Sequence, residues 1–146
     1  MFIKSFLGKK FARYVVSKTH KWSQSPIATQ DKVFKHLIHT AQKTVFGTDH
    51  DFASIKTYED FKSRVPVRDY EGLRPYVERI QKGEKDVLWK GQPLFFAKTS
   101  GTTSGAKYIP LTKVSLEYQI KAAKDALLHY MEDSGNYHFI HGKMIF

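Results

Sequence analysis

Thr99-Ser100-Gly101-Thr102-Thr103-Ser104-Gly105-Ala106-Lys107 lies between the apolar run Leu94-Phe95-Phe96-Ala97 and the extended segment Tyr108-Ile109-Pro110. All nine residues are small, hydroxylated or glycine except the closing lysine, so the backbone can turn tightly with its amides outward. Gly101 and Gly105 can take positive φ without a Cβ clash. Successive N–H groups in such a turn form a partly positive nest for an anion, to which hydroxyl donors and the Lys107 ammonium add. The stretch therefore reads as a phosphate-binding loop (P-loop) for a nucleotide triphosphate. A flexible surface linker is the competing reading of any Gly/Ser/Thr run. Strand-like flanks on both sides, the terminal lysine and Thr112 as N-cap of a following helix favour the phosphate loop. It is not a Walker A loop, because G-x-x-x-x-G-K-[ST] begun at Gly101 needs glycine at Ala106, and the chain has no G-x-G-x-x-G.

The loop resembles the first signature loop of the acyl-adenylate-forming superfamily, whose members activate carboxylic acids with ATP. Four further stretches narrow the likeness: Tyr108-Ile109-Pro110-Leu111-Thr112, Val65-Pro66-Val67-Arg68-Asp69-Tyr70-Glu71, Pro75-Tyr76-Val77-Glu78-Arg79-Ile80 and Gly83-Glu84. With them the chain, from about Thr40 to its end, is similar to the bacterial branch of the Gretchen Hagen (auxin-responsive promoter) family of acyl-acid amido synthetases. Ser104 and Ala106 stand where the superfamily's commonest loop has glycine and proline. The glycine comes one place later, at Gly105, a variation that occurs in the Gretchen Hagen branch.

The resemblance implies a ligase. A carboxylate attacks the α-phosphorus of ATP, pyrophosphate leaves, and an amine or amino acid then displaces AMP to form an amide. Thr99, Ser100, Gly101, Thr102, Thr103, Ser104 and Gly105 would hold the β- and γ-phosphates, Lys107 would be the catalytic cation screening them, and Mg2+ would carry the remaining charge. Preorganised donors suit this task because they need little rearrangement as charge moves. The family's adenine, magnesium and acyl-site residues lie beyond the loop, so the 146 residues are expected to show no turnover alone. Two other readings stay open: an adenylating enzyme that passes the acyl group to coenzyme A, and a non-enzymatic basic module binding nucleic acid or an anionic membrane. The upstream motifs speak against the first.

A chain of 146 residues with 41% hydrophobic content is long enough for one domain with a core. The terminal run Lys143-Met144-Ile145-Phe146 resembles a strand just beginning, which suggests the N-terminal part of a longer protein whose remainder is the chain's principal partner. A complete small protein with a docked C-terminal strand is the alternative. The net charge of +10 favours anionic ligands without choosing among them. The absence of cysteine excludes disulfides and fits a reducing compartment. No stretch reaches the roughly 18 apolar residues of a membrane span, and no secretory signal is recognisable. A cytoplasmic protein with small-molecule substrates, without nucleic-acid partners and without stable membrane insertion, is expected.

The expected fold is α/β: a helical N-terminal region leading into the first strands of an incomplete adenylate-forming domain, with the phosphate loop between a strand and a helix. Residues 1–30 form a basic amphipathic helix, and residues 31–146 the beginning of the adenylating domain. In the first, Lys4, Lys9, Lys10, Arg13, Lys18 and Lys21 accompany no acidic residue, while Phe2, Ile3, Phe6, Leu7, Phe11, Tyr14 and Val15 fall near one face. Membrane anchor, transit segment and nucleic-acid arm are its functional readings; a terminal helix that packs its apolar face onto the remainder of a longer protein and leaves its lysines in water is preferred. A second helix is predicted from Thr29 to Val45, ended by Gly47, then a capping box at Thr57 and Asp60. A helix over Tyr76–Gln81 follows, with Pro75 in its first turn. Val87-Leu88-Trp89 and Leu94–Ala97 read as strands or extended lead-in, and Thr112 opens a helix to about Met131. Asp49-His50-Asp51 reads as a solvated loop, and His36, His39, His138 and His141 lack a convincingly spaced third ligand. No metal site of the protein's own is expected.

Overall fold

The computed structural model describes residues 2–100 and 105–137, and the side chains from Ser5 onward in the first helix. Along the chain run α1 (Phe2–Ser23), α2 (Pro26–Ala41), α3 (Val45–Asp49), a 3-10 turn (Phe52–Ser54), α4 (Tyr58–Arg64), α5 (Tyr70–Gln81), β1 (Phe95–Lys98), β2 (Tyr108–Leu111) and α6 (Lys113–Ser134). Helices lead into the first strands, as the sequence implies. The chain divides into two compact units, residues 30–116 and residues 1–29 with 117–146.

In the unit of residues 30–116, Ile38, Ala41, Phe52 and Ile55 form a buried cluster on which Phe34, Phe46, Phe61, Val65 and Trp89 pack. Rings meet edge to face, Phe34 on Phe61 at 5.9 Å and Phe46 on Phe52 at 5.9 Å, an arrangement that matches ring edges to π faces. Val77 and Ile80 of α5 are buried as well.

The predicted Thr29–Val45 helix instead ends at Ala41, and Gly47 does not terminate it. Thr44 is the reason. Its hydroxyl donates to Ala41 O (2.8 Å) and accepts from Gly47 N (3.0 Å), closing one helix and capping the next. Gly47 sits buried in α3, where a Cβ would stand 2.1 Å from the Ala41 carbonyl oxygen. The next two amides of α3, Val45 N and Phe46 N, donate to Asp86 O (2.8 Å) and Val87 O (2.9 Å). Val87 is thus spent on α3 and buried to 1% exposure, and Val87-Leu88-Trp89 forms bends instead of a strand. The loop beyond it closes on itself, with Asp86 Oδ1 accepting from Gly91 N at 2.7 Å.

The capping box at Thr57 and Asp60 is present in both directions, with Asp60 N donating to Thr57 Oγ1 and Thr57 N to the Asp60 carboxylate. α5 contains the predicted Tyr76–Gln81 but starts at Tyr70, ahead of a first turn at Pro75, because Asp69 caps it by accepting from Gly72 N at 3.0 Å. Pro75 therefore lies inside the helix, not in its first turn. The bond it forfeits is to the carbonyl of Glu71, an exposed residue of the first turn.

β1 and β2 form an antiparallel pair in the register Phe95↔Leu111, Phe96↔Pro110, Ala97↔Ile109, Lys98↔Tyr108. The 99–107 loop joins these strands, so it lies between two strands and the helix follows only after β2. Thr112 caps that helix, accepting from Ser115 N at 3.1 Å.

In the other unit, Arg13 of α1 pairs with Glu132 of α6 (3.1 Å) and Thr19 bonds His129 (3.1 Å). Ala12 and Met131 are buried, while Phe6, Leu7, Phe11, Tyr14 and Trp22 are exposed. The apolar face expected of α1 is thus largely uncovered. The Lys143–Phe146 run and the side chains of Phe2 and Ile3 lie outside the described residues. Among the described residues, no helix is long and apolar enough to cross a membrane.

The Gly47→Ala substitution is expected to destabilise the protein by about 2 kcal/mol or more, the cost of forcing volume into a packed junction; urea unfolding measures it. Stability should also fall in acid. Hydrogen bonds from Ser54, from the Lys56 and Thr57 amides, and from Arg79 hold the Asp51, Asp60 and Glu84 carboxyls respectively below their ordinary values. Their contribution is complete above the unfolded carboxylate range of about pH 4 and is lost as pH falls through the lowered folded values. Unfolding midpoints measured between neutral and acid pH check this.

Candidate functional site

The hairpin end is built by local bonds. Thr99 N donates to Lys107 O (3.1 Å), and Lys107 N donates to Thr99 Oγ1 at 3.4 Å, so a side chain replaces one ladder acceptor. Gly105 has φ +77°, the left-handed region anticipated for it. Thr99, Ser100 and Gly105 are exposed, and Lys107 is half-buried. The structure brings Thr99 and Lys107 together at the mouth of the hairpin. Gly101, Thr102, Thr103 and Ser104 lie outside the described residues.

Around that mouth stand residues to which the sequence assigned no role. Tyr70, the first residue of α5, accepts the Tyr108 N–H at its hydroxyl (2.8 Å) and reaches the Tyr108 carbonyl at 3.5 Å. Its ring has Lys107 Nζ 5.7 Å and Arg74 Cζ 5.4 Å from the centroid, while Lys98 Nζ stands 6.0 Å from the Tyr108 ring. Cations favour aromatic faces at such distances. Arg74 also binds Glu71 through two bonds of 2.7 Å. Those bonds hold the Glu71 carboxyl below its ordinary value, and Lys107 adds a smaller pull. Lys107 and Arg74 thus share the Tyr70 ring, while Lys98 stands by the ring of its cross-strand partner Tyr108. Tyr70 and Tyr108 are 38 residues apart, so no periodicity could join them; Asp69 as a helix cap was the available signal for the position of Tyr70.

The Asp49-His50-Asp51 triplet splits three ways. Asp49 accepts from Tyr76 OH (2.8 Å), and Asp51 bonds Ser54 and Arg64. His50 is buried, not solvated, stacked on Phe46 at 4.1 Å. Its Nδ1 lies 2.8 Å from Phe46 O and its Nε2 2.9 Å from Arg68 Nη2. Since a guanidinium only donates, Nε2 accepts and Nδ1–H donates, which fixes one neutral tautomer. Burial foremost, and then the Asp49 carboxylate, push the Tyr76 hydroxyl upward. Among the described residues no three of His, Asp and Glu are grouped to hold a metal ion; His138 and His141 lie outside them.

Residues 15–145 match the GH3 family N-terminal domain. The chain belongs to the GH3 family. This is the Gretchen Hagen family of the sequence resemblance, and its matched span contains the whole 99–107 loop and Tyr70. Among curated GH3 relatives, the chain is 29% identical over 97 residues to indole-3-acetic acid-amido synthetase GH3.2 of Arabidopsis thaliana, covering 65% of this chain and 18% of that one. Against GH3.15 of the same plant it is 44% identical over 64 residues, 42% of this chain and 11% of the relative. Against GH3.17 it is 36% identical over 94 residues, 60% and 15%. The matches thus span less than a fifth of these GH3 proteins.

Removing the Nε2 acceptor and the stacked ring by His50→Ala should lower stability by about 1–3 kcal/mol, the range for a buried group that loses its hydrogen bonds. Thermal or urea unfolding of the variant measures it.

Proposed function

We propose that the 99–107 loop holds the β- and γ-phosphates of ATP within an acyl-acid amido synthetase. Such an enzyme converts a carboxylic acid to its acyl-adenylate and then to an amide with an amine or amino acid. The observation that carries this reading is the family match running through the loop, among relatives whose names describe amido synthetases. The described part of the loop fits a polyphosphate. Thr99 and Ser100 are exposed, Gly105 is in the left-handed region, and Lys107, at the loop's end, shares the Tyr70 ring with Arg74. Amide and hydroxyl donors with a nearby ammonium are the groups that bind phosphate oxygens.

Thr99, Ser100, Gly101, Thr102, Thr103, Ser104 and Gly105 hold the anion in this reading, and Lys107 offsets its charge. ATP would be the source of the leaving pyrophosphate, and Mg2+, when bound, would offset part of the phosphate charge. The chain's own contribution is a set of donors fixed before charge develops, which stabilises a departing anion without rearrangement. The carboxylic acid binds to residues that the resemblance implies lie after the loop.

Titration with sodium tripolyphosphate, followed by amide resonances, should shift Thr99, Ser100, Gly105 and Lys107. Lys107→Ala should weaken that binding about tenfold, the worth of one charge-assisted bond. No shift at the loop overturns the reading. The 146-residue chain given ATP, Mg2+, indole-3-acetic acid and amino acids should form no amide; product detected by mass spectrometry would refute the placement of the acyl site outside it.

A further inference from the structure

The loop's outer flank is held from outside the hairpin. In an antiparallel ladder, residues alternate between pairs that exchange hydrogen bonds and pairs that do not. Thr99 and Lys107 bond each other, so the next pair, Lys98 and Tyr108, does not, and the Tyr108 N–H and C=O face away from β1. The Tyr70 hydroxyl meets both, at 2.8 and 3.5 Å. A phenol can accept from the one and donate to the other through a single oxygen. Tyr70 is itself fixed, being the first residue of a helix capped by Asp69, with Lys107 Nζ 5.7 Å and Arg74 Cζ 5.4 Å from its ring centroid. Arg74 is in turn tied to Glu71 by two bonds.

We propose that Tyr70 is the positioning residue of the 99–107 loop: by bonding both backbone groups of Tyr108 it sets where Lys107 and the loop's closing amides stand against a bound triphosphate. This rests on the phosphate-binding reading above. Tyr70 touches no phosphate itself. Its effect passes through the backbone of the residue after Lys107 and through the ring on which the lysine stem and head rest. Donors aimed at an anion lose their value when displaced by about 1 Å, which costs on the order of a hundredfold in well-oriented sites.

Tyr70→Phe tests it, because the ring and its two cation contacts remain and only the hydroxyl goes. Two quantities are read on the 146-residue chain by NMR: hydrogen exchange at the Tyr108 amide, and the affinity for tripolyphosphate. Exchange at Tyr108 should quicken about tenfold, the loss of one hydrogen bond, while the core amides of Ile38 and Phe52 keep their rates. Triphosphate binding should weaken about tenfold alongside. Unchanged exchange at Tyr108 overturns the clamp. Faster exchange with unchanged affinity overturns the positioning role, and faster exchange at Ile38 and Phe52 too would make Tyr70 an ordinary structural residue. A wild-type chain that binds no tripolyphosphate fails before any substitution is made. That result overturns the phosphate reading and the positioning role with it, while the exchange comparison still decides whether the clamp exists.

Discussion

Two amide bonds at the start of α3 hold the larger unit in its arrangement. Val45 N and Phe46 N give their hydrogens to the carbonyls of Asp86 and Val87, residues that arrive more than forty positions later. The first amides of any helix lack partners within it, and here they are met by a passing segment instead of water. That choice buries Val87, brings Trp89 onto the Phe52 cluster, and delivers the chain from the end of α5 toward β1. Thr44 and Gly47 serve the same junction, one by satisfying the turn's polar atoms and the other by leaving room for the Ala41 carbonyl.

The hairpin depends on a second device of the same kind. Its loop is short of regular ladder bonds, since Lys107 N turns to a threonine hydroxyl, and its outer strand is held by a tyrosine from α5. Helix α5 is therefore the foundation on which the loop rests. The cap at Asp69 sets where that helix begins, and the Glu71–Arg74 pair tightens its first turn. In the proposed chemistry that helix fixes the backbone of Tyr108, the residue that follows Lys107.

Much of this was legible in the residues. The helix over α6, the Thr57 capping box, the strand flanks of the loop and the left-handed glycine at 105 all rest on local preferences that the sequence states outright. The departures turn on particular side-chain bonds and on partners distant in sequence. Thr44 broke the predicted second helix because its hydroxyl and the carbonyls of residues 86 and 87 together outbid a continued helical ladder. Val87 reads as strand by composition but is buried as a plug. His50 reads as solvated between two aspartates, yet Phe46 and Arg68 claim both of its nitrogens. The contact of Tyr70 with Tyr108 was not legible in the sequence, because it spans 38 residues.

Pro110 in β2 gives the hairpin a direction of growth. It faces Phe96 in a pair that exchanges no hydrogen bonds, so its missing N–H takes nothing from the ladder and is missed only on the outer side. The other outward amide of β2, that of Tyr108, is already given to Tyr70. The flank of β2 beyond the hairpin thus has no donor left at either outward position, and a third strand laid there would find half its bonds absent. β1 carries no proline, and Phe96 and Lys98 turn their backbone groups away from β2. A further strand thus finds a full set of outward donors along β1 and none along β2, which makes β1 the better-matched edge for a sheet that grows from this hairpin.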